Sequence, residues 1–233
     1  MPLVVIENNK VVPLAAFMSL CGAGGIISHN GSLYFCMYSQ GPDAVSGAAT
    51  NKMYYNIYIL KSDDDARTWY YYSQIVTAPE YFTACPEMEG FCEPQMRRMP
   101  DGSFVMLMRT GSYLPSYISH CYDDCRTWSK PEPFDTTGVF PQLLTLDCGI
   151  TLATYGRPKL FVRATSDPSG KTWDEPRRIE LSDDTKERAS CCYTALLPLD
   201  AHTALLAYSD FYYPNAEGIP VKSMMTRKIT VGI

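Results

Sequence analysis

Short apolar runs bounded by turn residues make up most of this chain. Runs at residues 54–61, 117–121 and 161–165 are rich in aromatic and β-branched residues, a composition typical of strands. Further apolar runs follow short turns that contain Asn-Gly, Asp-Gly or a single Asp. This order is typical of a tight turn that leads into a strand. These turns begin at Asn30, Asp101, Asp147 and Asp200. No 3.6-residue apolar period persists over three turns, so the pattern predicts an all-β fold.

The chain also repeats itself. Three segments end in Thr-Trp, at Trp69, Trp128 and Trp173, and they contain every tryptophan of the protein. Their separation of roughly 45–60 residues is that of propeller blades with variable loops. We therefore predict a single domain, residues 1–233, that is a partial β-propeller. Its blade-like units are expected at about residues 20–75, 90–135, 138–180 and 190–231.

Composition excludes several classes of protein. The 233 residues are 46% hydrophobic, which is enough to bury a large core. A net charge of −5 at pH 7 argues against a nucleic-acid surface, because such a surface needs a clustered basic face. No apolar run reaches the roughly 18–20 residues of a membrane span. We therefore expect neither a nucleic-acid partner nor a membrane span.

The cysteines do not form the pattern of a disulfide framework. There are nine of them, an odd number, and Cys191 and Cys192 are adjacent. Cys121 and Cys125 lack the C-x2-C spacing of a structural zinc site, and three histidines leave little room for a His-rich one. We expect reduced, mostly buried thiols, no metal and no cofactor. Unpaired cysteines slightly favour a cytoplasmic location.

The apolar segment at residues 11–27 has two interpretations. Its hydrophobicity suits the apolar region of a secretory signal peptide, but no basic stretch opens it and Pro13 interrupts it. The alternative, which we favour, is a buried first strand followed by glycine turns.

The three Thr-Trp segments resemble the Asp box, Ser-x-Asp-x-Gly-x-Thr-Trp, of sialidases and related six-bladed propellers. Ala66 and Cys125 replace the glycine of the box, and Pro168 stands at its usual Asp position, beside Asp167. The resemblance implies a hairpin turn in which the Asp accepts backbone N–H bonds and the Trp packs into the blade. In that family the boxes lie away from the active site, so they indicate the scaffold and no catalysis.

A second set of motifs resembles the sialidase superfamily. Glu93 opens a segment that Arg109 closes, as a Glu and an Arg do around the first long strand of a sialidase blade. Arg157 precedes the third Thr-Trp segment at the family's spacing for another substrate-binding Arg. The sequence around Tyr193, CYTAL, resembles the Tyr-Ser-x-Leu that carries the family's nucleophile. The order of these motifs is that of the C-terminal four blades of a sialidase.

The resemblance implies an exo-glycosidase that removes terminal sialic acid with retention. Tyr193 would be the nucleophile, because a carboxylate nucleophile would be repelled by the carboxylate on the anomeric carbon of sialic acid. Glu93 would accept the phenol proton. Arg109 and Arg157 would bind the substrate carboxylate through paired charge-assisted hydrogen bonds. This requires the Tyr193 hydroxyl within hydrogen-bond reach of Glu93, with both arginines converging on the same cavity.

Each of these residues has a structural alternative. Glu93 could be a solvated loop carboxylate, and Arg109 and Arg157 could be charges at strand ends that only reach solvent. Tyr193 could be an ordinary core or rim aromatic. For Arg163, which follows Arg157 closely, we favour the structural interpretation.

The chain departs from the family near its beginning. The first of the family's three arginines and its acid/base Asp belong to blades with no counterpart here, and Asp43 is the only loop acid that we consider as a substitute. Four blades cannot close a six-bladed ring and leave sheet edges open. We therefore expect an incomplete relative of a sialidase, completed by self-association.

Three functions remain open at this point. The first is a sialidase-like enzyme, active or inactive as this chain. The second is a non-catalytic propeller that binds a sialylated or other acidic glycan. The third is a glycoside hydrolase or lyase acting on another acidic sugar, since paired arginines recognise any suitably placed carboxylate.

Overall fold

The computed structural model describes residues 3–7, 10–13, 21–22, 24–40, 54–182 and 193–232. These residues form four β-sheets and one six-residue helix, which confirms the predicted all-β fold. The helix α1, Pro79–Ala84, begins at a proline, whose fixed φ suits the first helical position. It connects the first sheet to the second.

The first sheet contains seven strands in the order β2-β1-β7-β6-β5-β3, with β4 pairing β5. Its hairpin β1–β2 lies upstream of the unit expected at residues 20–75, and β1 runs parallel to β7 through the pair Leu3 and Trp69. This pairing joins segments far apart in the chain, which local patterning does not indicate. The strands are β1 Leu3–Glu7, β2 Lys10–Pro13, β3 Cys21–Gly22, β4 Ile27–His29, β5 Ser32–Gln40, β6 Tyr55–Ser62 and β7 Trp69–Ile75.

The apolar segment at residues 11–27 is divided among three short strands. It contributes the end of β2, all of β3 and the first residue of β4. Residues 14–20 and 23 lie outside the described part of the chain. The single first strand expected from the sequence is therefore replaced by short pieces that pair with β1 and β5.

The other three sheets are antiparallel meanders in which each strand pairs with its neighbour in sequence. The second sheet contains β8 Cys92–Arg98, β9 Phe104–Arg109, β10 Ser116–Cys121 and β11 Glu132–Asp135. The third contains β12 Val139–Thr145, β13 Thr151–Gly156, β14 Leu160–Thr165 and β15 Arg177–Ile179. The fourth contains β16 Thr194–Pro198, β17 Thr203–Pro214 and β18 Pro220–Thr230.

The sheets lie side by side in chain order, as the blades of a β-propeller do. Strand β8 contacts β5 on one side and β12 on the other, and β12 in turn contacts β16. The first strands of the last three sheets therefore line one common region. Residues at their beginnings can converge there although they are far apart in sequence.

Buried side chains fill each space between neighbouring sheets. Cys36 and Ile59 of the first sheet pack with Met96 and Met106 of the second. The next two layers are built in the same way from aliphatic and aromatic side chains. They include Leu107, Leu143 and Tyr155 between the second and third sheets, and Leu144, Leu160, Ala204 and Leu206 between the third and fourth.

The three Thr-Trp segments form tight turns held by an aspartate. Asp64 accepts hydrogen bonds from the Thr68 hydroxyl at 2.6 Å and the Thr68 N–H at 2.8 Å. These bonds stabilise the ionised carboxylate and lower the pKa of Asp64 to about 2. Asp123 makes the same pair of bonds in the second turn. In the third turn Asp167 accepts hydrogen bonds from the backbone N–H groups of Ser169, Lys171 and Thr172.

The position occupied by glycine in the Asp box has a left-handed backbone in all three turns. Its φ is 65° at Ala66, 65° at Cys125 and 68° at Gly170. The left-handed region costs a residue with a Cβ roughly 1–2 kcal/mol. The first two turns therefore carry a local strain that the third avoids.

Candidate functional site

Glu93 lies at the start of β8, where the strand is irregular. Its φ is 42°, and the pairing of β8 with β9 shifts register between Cys92 and Gln95. Because Cys92 is paired with Arg109 at the end of β9, the Glu93 and Arg109 side chains meet. The Arg109 Nη1 donates to Glu93 Oε1 at 2.6 Å, with 12% and 11% of the two side chains exposed. They form a mostly buried ion pair.

The second oxygen of Glu93 is bonded to the neighbouring sheet. The Phe140 N–H, at the start of β12, donates to Glu93 Oε2 at 2.8 Å. Phe140 has a φ of 46° and lies in a register shift of β12 against β13, which turns its N–H toward Glu93. Both carboxylate oxygens of Glu93 are therefore occupied, one by each of two adjacent sheets.

Arg109 contacts a second carboxylate. Its Nη2 lies 3.5 Å from Glu89 Oε2, on the loop before β8. Burial is the largest single influence and would lower the pKa of the Arg109 guanidinium, but the charge and hydrogen bond of Glu93 and the other negative neighbours together outweigh it, and the pKa is raised. Arg109 is therefore a permanent cation whose charge is balanced by acidic neighbours.

Arg157 follows β13, and its surroundings differ from those of Arg109. The residue is only 7% exposed. Its Nη1 donates to the Ser112 Oγ at 3.2 Å, and its Cζ lies 5.3 Å from the centre of the Tyr193 ring. Among the described residues, no carboxylate lies within ion-pair distance of Arg157, and its Nε has no hydrogen-bond partner. Within the described segments, Arg157 is thus a buried cation without a negative partner.

Ser112 connects the two arginines. It lies in the loop between β9 and β10, and its Oγ also accepts from Arg109 Nη2 at 3.2 Å. The guanidinium groups thus share one hydroxyl acceptor. Sequence reasoning missed Ser112, and the only signal for it is its place three residues after Arg109. It also missed Phe140, for which the sequence contains no local signal.

Tyr193 lies against the Arg157 guanidinium. It is 37% exposed, and its ring centre is 5.0 Å from that of Phe140. Its backbone is held by β17, because the Tyr193 N–H donates to Ser209 Oγ at 3.3 Å. In the described part of the chain the Tyr193 hydroxyl makes no hydrogen bond to Glu93, whose oxygens are taken by Arg109 and Phe140.

The structure thus brings the four predicted site residues into one connected cluster. Glu93 contacts Arg109, Arg109 and Arg157 share Ser112, and Arg157 lies against Tyr193. This convergence does not by itself assign a role to any of them. Their roles in binding and catalysis stay predictions.

Arg163 has a different environment. Its Nη1 donates to the Phe134 carbonyl at 2.7 Å and its Nε to the Asp174 carbonyl at 2.7 Å, while its guanidinium lies over the Phe134 ring. These contacts tie the third sheet to the second, as expected for a structural residue. The substitute acid considered from the sequence, Asp43, lies outside the described residues, as do Cys191 and Cys192.

Two further features are absent from the described residues. These residues contain no group of three or more His, Cys, Asp or Glu side chains placed to hold a metal ion. They also contain no helix long and apolar enough to cross a membrane.

Comparison with known proteins adds a family match. The sequence model of the BNR repeat-like domain matches residues 16–216. No curated protein of known function matches the chain.

Among solved structures, a protein of unknown function from Dyadobacter fermentans is 18% identical, with a TM-score of 0.66 over 90% of this chain and 53% of that one. A polysaccharide lyase of family PL25, an ulvan lyase, is 14% identical, with a TM-score of 0.55 over 98% of this chain and 52% of that one. A Hadza microbial sialidase is 17% identical, with a TM-score of 0.54 over 81% of this chain and 35% of that one. This chain spans about half the length of the first two. At these identities the similarity concerns the fold.

Proposed function

The chain belongs to the BNR repeat-like domain family, and on this premise we propose that it binds and processes an acidic glycan. The specific activity that we propose is that of an exo-sialidase, which hydrolyses terminal sialic acid with retention. A sialidase and a polysaccharide lyase share the fold, but a fold alone does not assign a reaction. The support comes from the charges at the site.

The buried guanidinium of Arg157 is the observation that carries this proposal. Buried charges in proteins are normally paired, because removing an ion from water costs several kcal/mol. No described residue supplies the anion for Arg157, whereas Arg109 beside it has Glu93. A carboxylate of the ligand would complete the site and would also lie close to Arg109. Sialic acid carries such a carboxylate on its anomeric carbon.

Tyr193 is the residue that we propose to attack that carbon. It is partly exposed beside Arg157, so a sugar whose carboxylate lies on Arg157 would present its anomeric centre near the phenol. A ligand carboxylate that binds Arg109 would release Glu93 Oε1, which could then accept the phenol proton. The tyrosine oxygen would form a bond to the anomeric carbon as the glycosidic C–O bond breaks, and the leaving group would depart as an alkoxide, or as a phenolate from an aryl sialoside, and take its proton from water. Water would then hydrolyse the glycosyl-tyrosine.

A second function, acidic-glycan binding without turnover, is favoured by one specific observation. Both Glu93 oxygens are occupied, and the hydrogen bond from Tyr193 that catalysis requires is not formed among the described residues. The Arg157 cation would bind an acidic sugar equally well in such a protein. The two functions differ only in the chemistry that follows binding.

The decisive experiment compares Tyr193→Phe with the wild-type chain on an aryl sialoside, whose good leaving group needs little acid assistance. Tyr208→Phe is a matched control, because the Tyr208 hydroxyl is bonded to Arg227 within the fourth sheet. We expect Tyr193→Phe to lower turnover by at least about 10³-fold, while Tyr208→Phe retains it. Binding of an unsaturated sialic acid analogue should survive in both variants.

Three other outcomes are informative. Unchanged turnover by Tyr193→Phe would exclude it as the nucleophile. Binding of the analogue without turnover by the wild type would identify a binding protein. Turnover of uronides in place of sialosides would assign the Arg157 site to another acidic sugar.

A further inference from the structure

Ser112 has an arrangement of hydrogen bonds that the proposed function does not use. Its Oγ accepts from Arg109 Nη2 and from Arg157 Nη1, each at 3.2 Å. A serine hydroxyl has one proton to donate and two lone pairs to accept with. The two guanidinium groups therefore occupy both lone pairs. The only further hydrogen bond that this hydroxyl can make is one in which it donates its proton.

The proton of this hydroxyl has no acceptor within the protein as described. In residues 54–182 and the other described segments, the Ser112 Oγ makes only the two bonds from the arginines. The cations also orient the hydroxyl dipole, because they attract its oxygen and repel its proton. The O–H is therefore held away from both guanidinium groups, and a donor with two cationic neighbours is matched best by an anionic oxygen.

We propose that Ser112 is a third donor of the anion receptor, and that its hydroxyl donates to an oxygen of the ligand's carboxylate. This inference rests on the proposed function, since it adds a contact to the same acidic group. One carboxylate oxygen would accept from Ser112 while the carboxylate also accepts from Arg157. Ser112 thus acts as a ligand contact and at the same time positions the two arginines.

The shape of the loop explains why a residue as small as serine suits position 112. The loop that carries it continues to Tyr113, whose φ of 64° bends the chain sharply. Its short side chain reaches both guanidinium groups, while the Arg157 guanidinium also contacts the Tyr193 ring. An alanine would remove the shared acceptor and the donor together. A threonine would keep both.

The experiment measures binding of two ligands by calorimetry: the unsaturated sialic acid analogue and its neutral methyl ester. The proteins are the wild type, Ser112→Ala, Ser112→Thr and Ser119→Ala. The last is a matched control, because the described bonds of the Ser119 side chain are to Ser129, in the connection between β10 and β11: its hydroxyl donates to the Ser129 carbonyl at 2.7 Å and lies 3.4 Å from the Ser129 hydroxyl. Thermal unfolding of each variant reports on the fold.

We expect Ser112→Ala to weaken binding of the acid by about 10–100-fold, the loss that follows from one hydrogen bond to a charged group. Binding of the ester should change by less than about threefold, so the preference for the acid over the ester falls. Ser112→Thr should restore the preference, and Ser119→Ala should leave it unchanged.

Different results would contradict the role of Ser112 and the proposed function. Equal weakening of acid and ester by Ser112→Ala would contradict a contact between the Ser112 hydroxyl and the carboxylate. Undiminished acid binding would show that it makes no contact at all. If the wild type binds the acid no better than the ester, the proposed acidic-glycan function itself is overturned, and this inference with it.

Discussion

Replacing Arg157 by methionine separates its proposed role from a structural one. The cation is only 7% exposed, and its described partners are one hydroxyl at 3.2 Å and one aromatic ring at 5.3 Å. A hydrogen bond from a charged group contributes about 1.5–3 kcal/mol, and the ring about 0.5–2 kcal/mol. Burying an ion costs several kcal/mol. These contributions nearly cancel, so Arg157 adds little to the stability of the fold.

Arg157→Met should therefore leave the free energy of unfolding within about 1 kcal/mol of the wild type. Binding should respond very differently. Loss of two charge-assisted hydrogen bonds to a carboxylate is worth about 3–4 kcal/mol, or about 10²–10³-fold in affinity. Urea denaturation measures the first quantity, and calorimetry with the unsaturated sialic acid analogue measures the second.

Arg163→Met is the matched control for this test. Arg163 donates to three backbone carbonyls, those of Phe134, Trp173 and Asp174, and no observation places it at the site. Its loss removes these three hydrogen bonds, so stability should fall by about 2–4 kcal/mol while affinity is retained. The reasoning is refuted if Arg157→Met lowers stability by more than about 2 kcal/mol and still binds the analogue as the wild type does.

Two further predictions concern the scaffold. A Cβ on Gly90, where φ is 94°, would clash with the Tyr55 carbonyl oxygen, whereas one on Gly149, where φ is 87°, would meet no described atom within 4 Å. Gly149→Ala should thus lower the free energy of unfolding by about 1–2 kcal/mol, and Gly90→Ala by at least about 2 kcal/mol more. Denaturation midpoints of the two variants measure this difference, and equal losses would contradict the prediction. Asp64 has a folded-state pKa of about 2, below its unfolded value of about 3.9, so its contribution to stability is present above pH 4 and lost as the pH falls through 2. Asp64→Asn should therefore be less stable than the wild type at pH 7, with a difference that shrinks between pH 4 and pH 2 and does not stay constant.

The parts of the fold that the sequence predicted are those governed by neighbouring residues. A turn such as that of Asp64 and Thr68 is held by bonds within five residues, so its spacing reveals the hairpin and the sheet around it. The pairing of β1 with β7 sets Leu3 in register with Trp69, 66 residues away, and no short pattern encodes that register. The first sheet consequently extends farther than the periodicity of the chain indicated.

In the candidate site, too, the residues that could be predicted are those whose positions follow from neighbouring strands. Glu93 and Arg109 could be predicted to meet because they stand at paired ends of consecutive strands. Phe140 could not be predicted, because it takes part through its backbone N–H, which every residue except proline possesses. Ser112 belongs to an irregular loop, where composition does not specify which hydroxyl turns inward. The hydrogen bond expected from Tyr193 to Glu93 is absent in the described structure because closer donors occupy both oxygens.

The position of the Glu93 carboxylate between two sheets has a mechanical consequence. One of its oxygens is tied to β9 and the other to the start of β12, so the carboxylate spans the seam between adjacent blades. The bond to Arg109 lies within the second sheet, so the bond from the Phe140 N–H is the one that crosses to the third sheet. The same carboxylate that balances Arg109 therefore also fastens the start of β12 to β8, and a substitution of Glu93 would loosen a junction between blades as well as remove a charge.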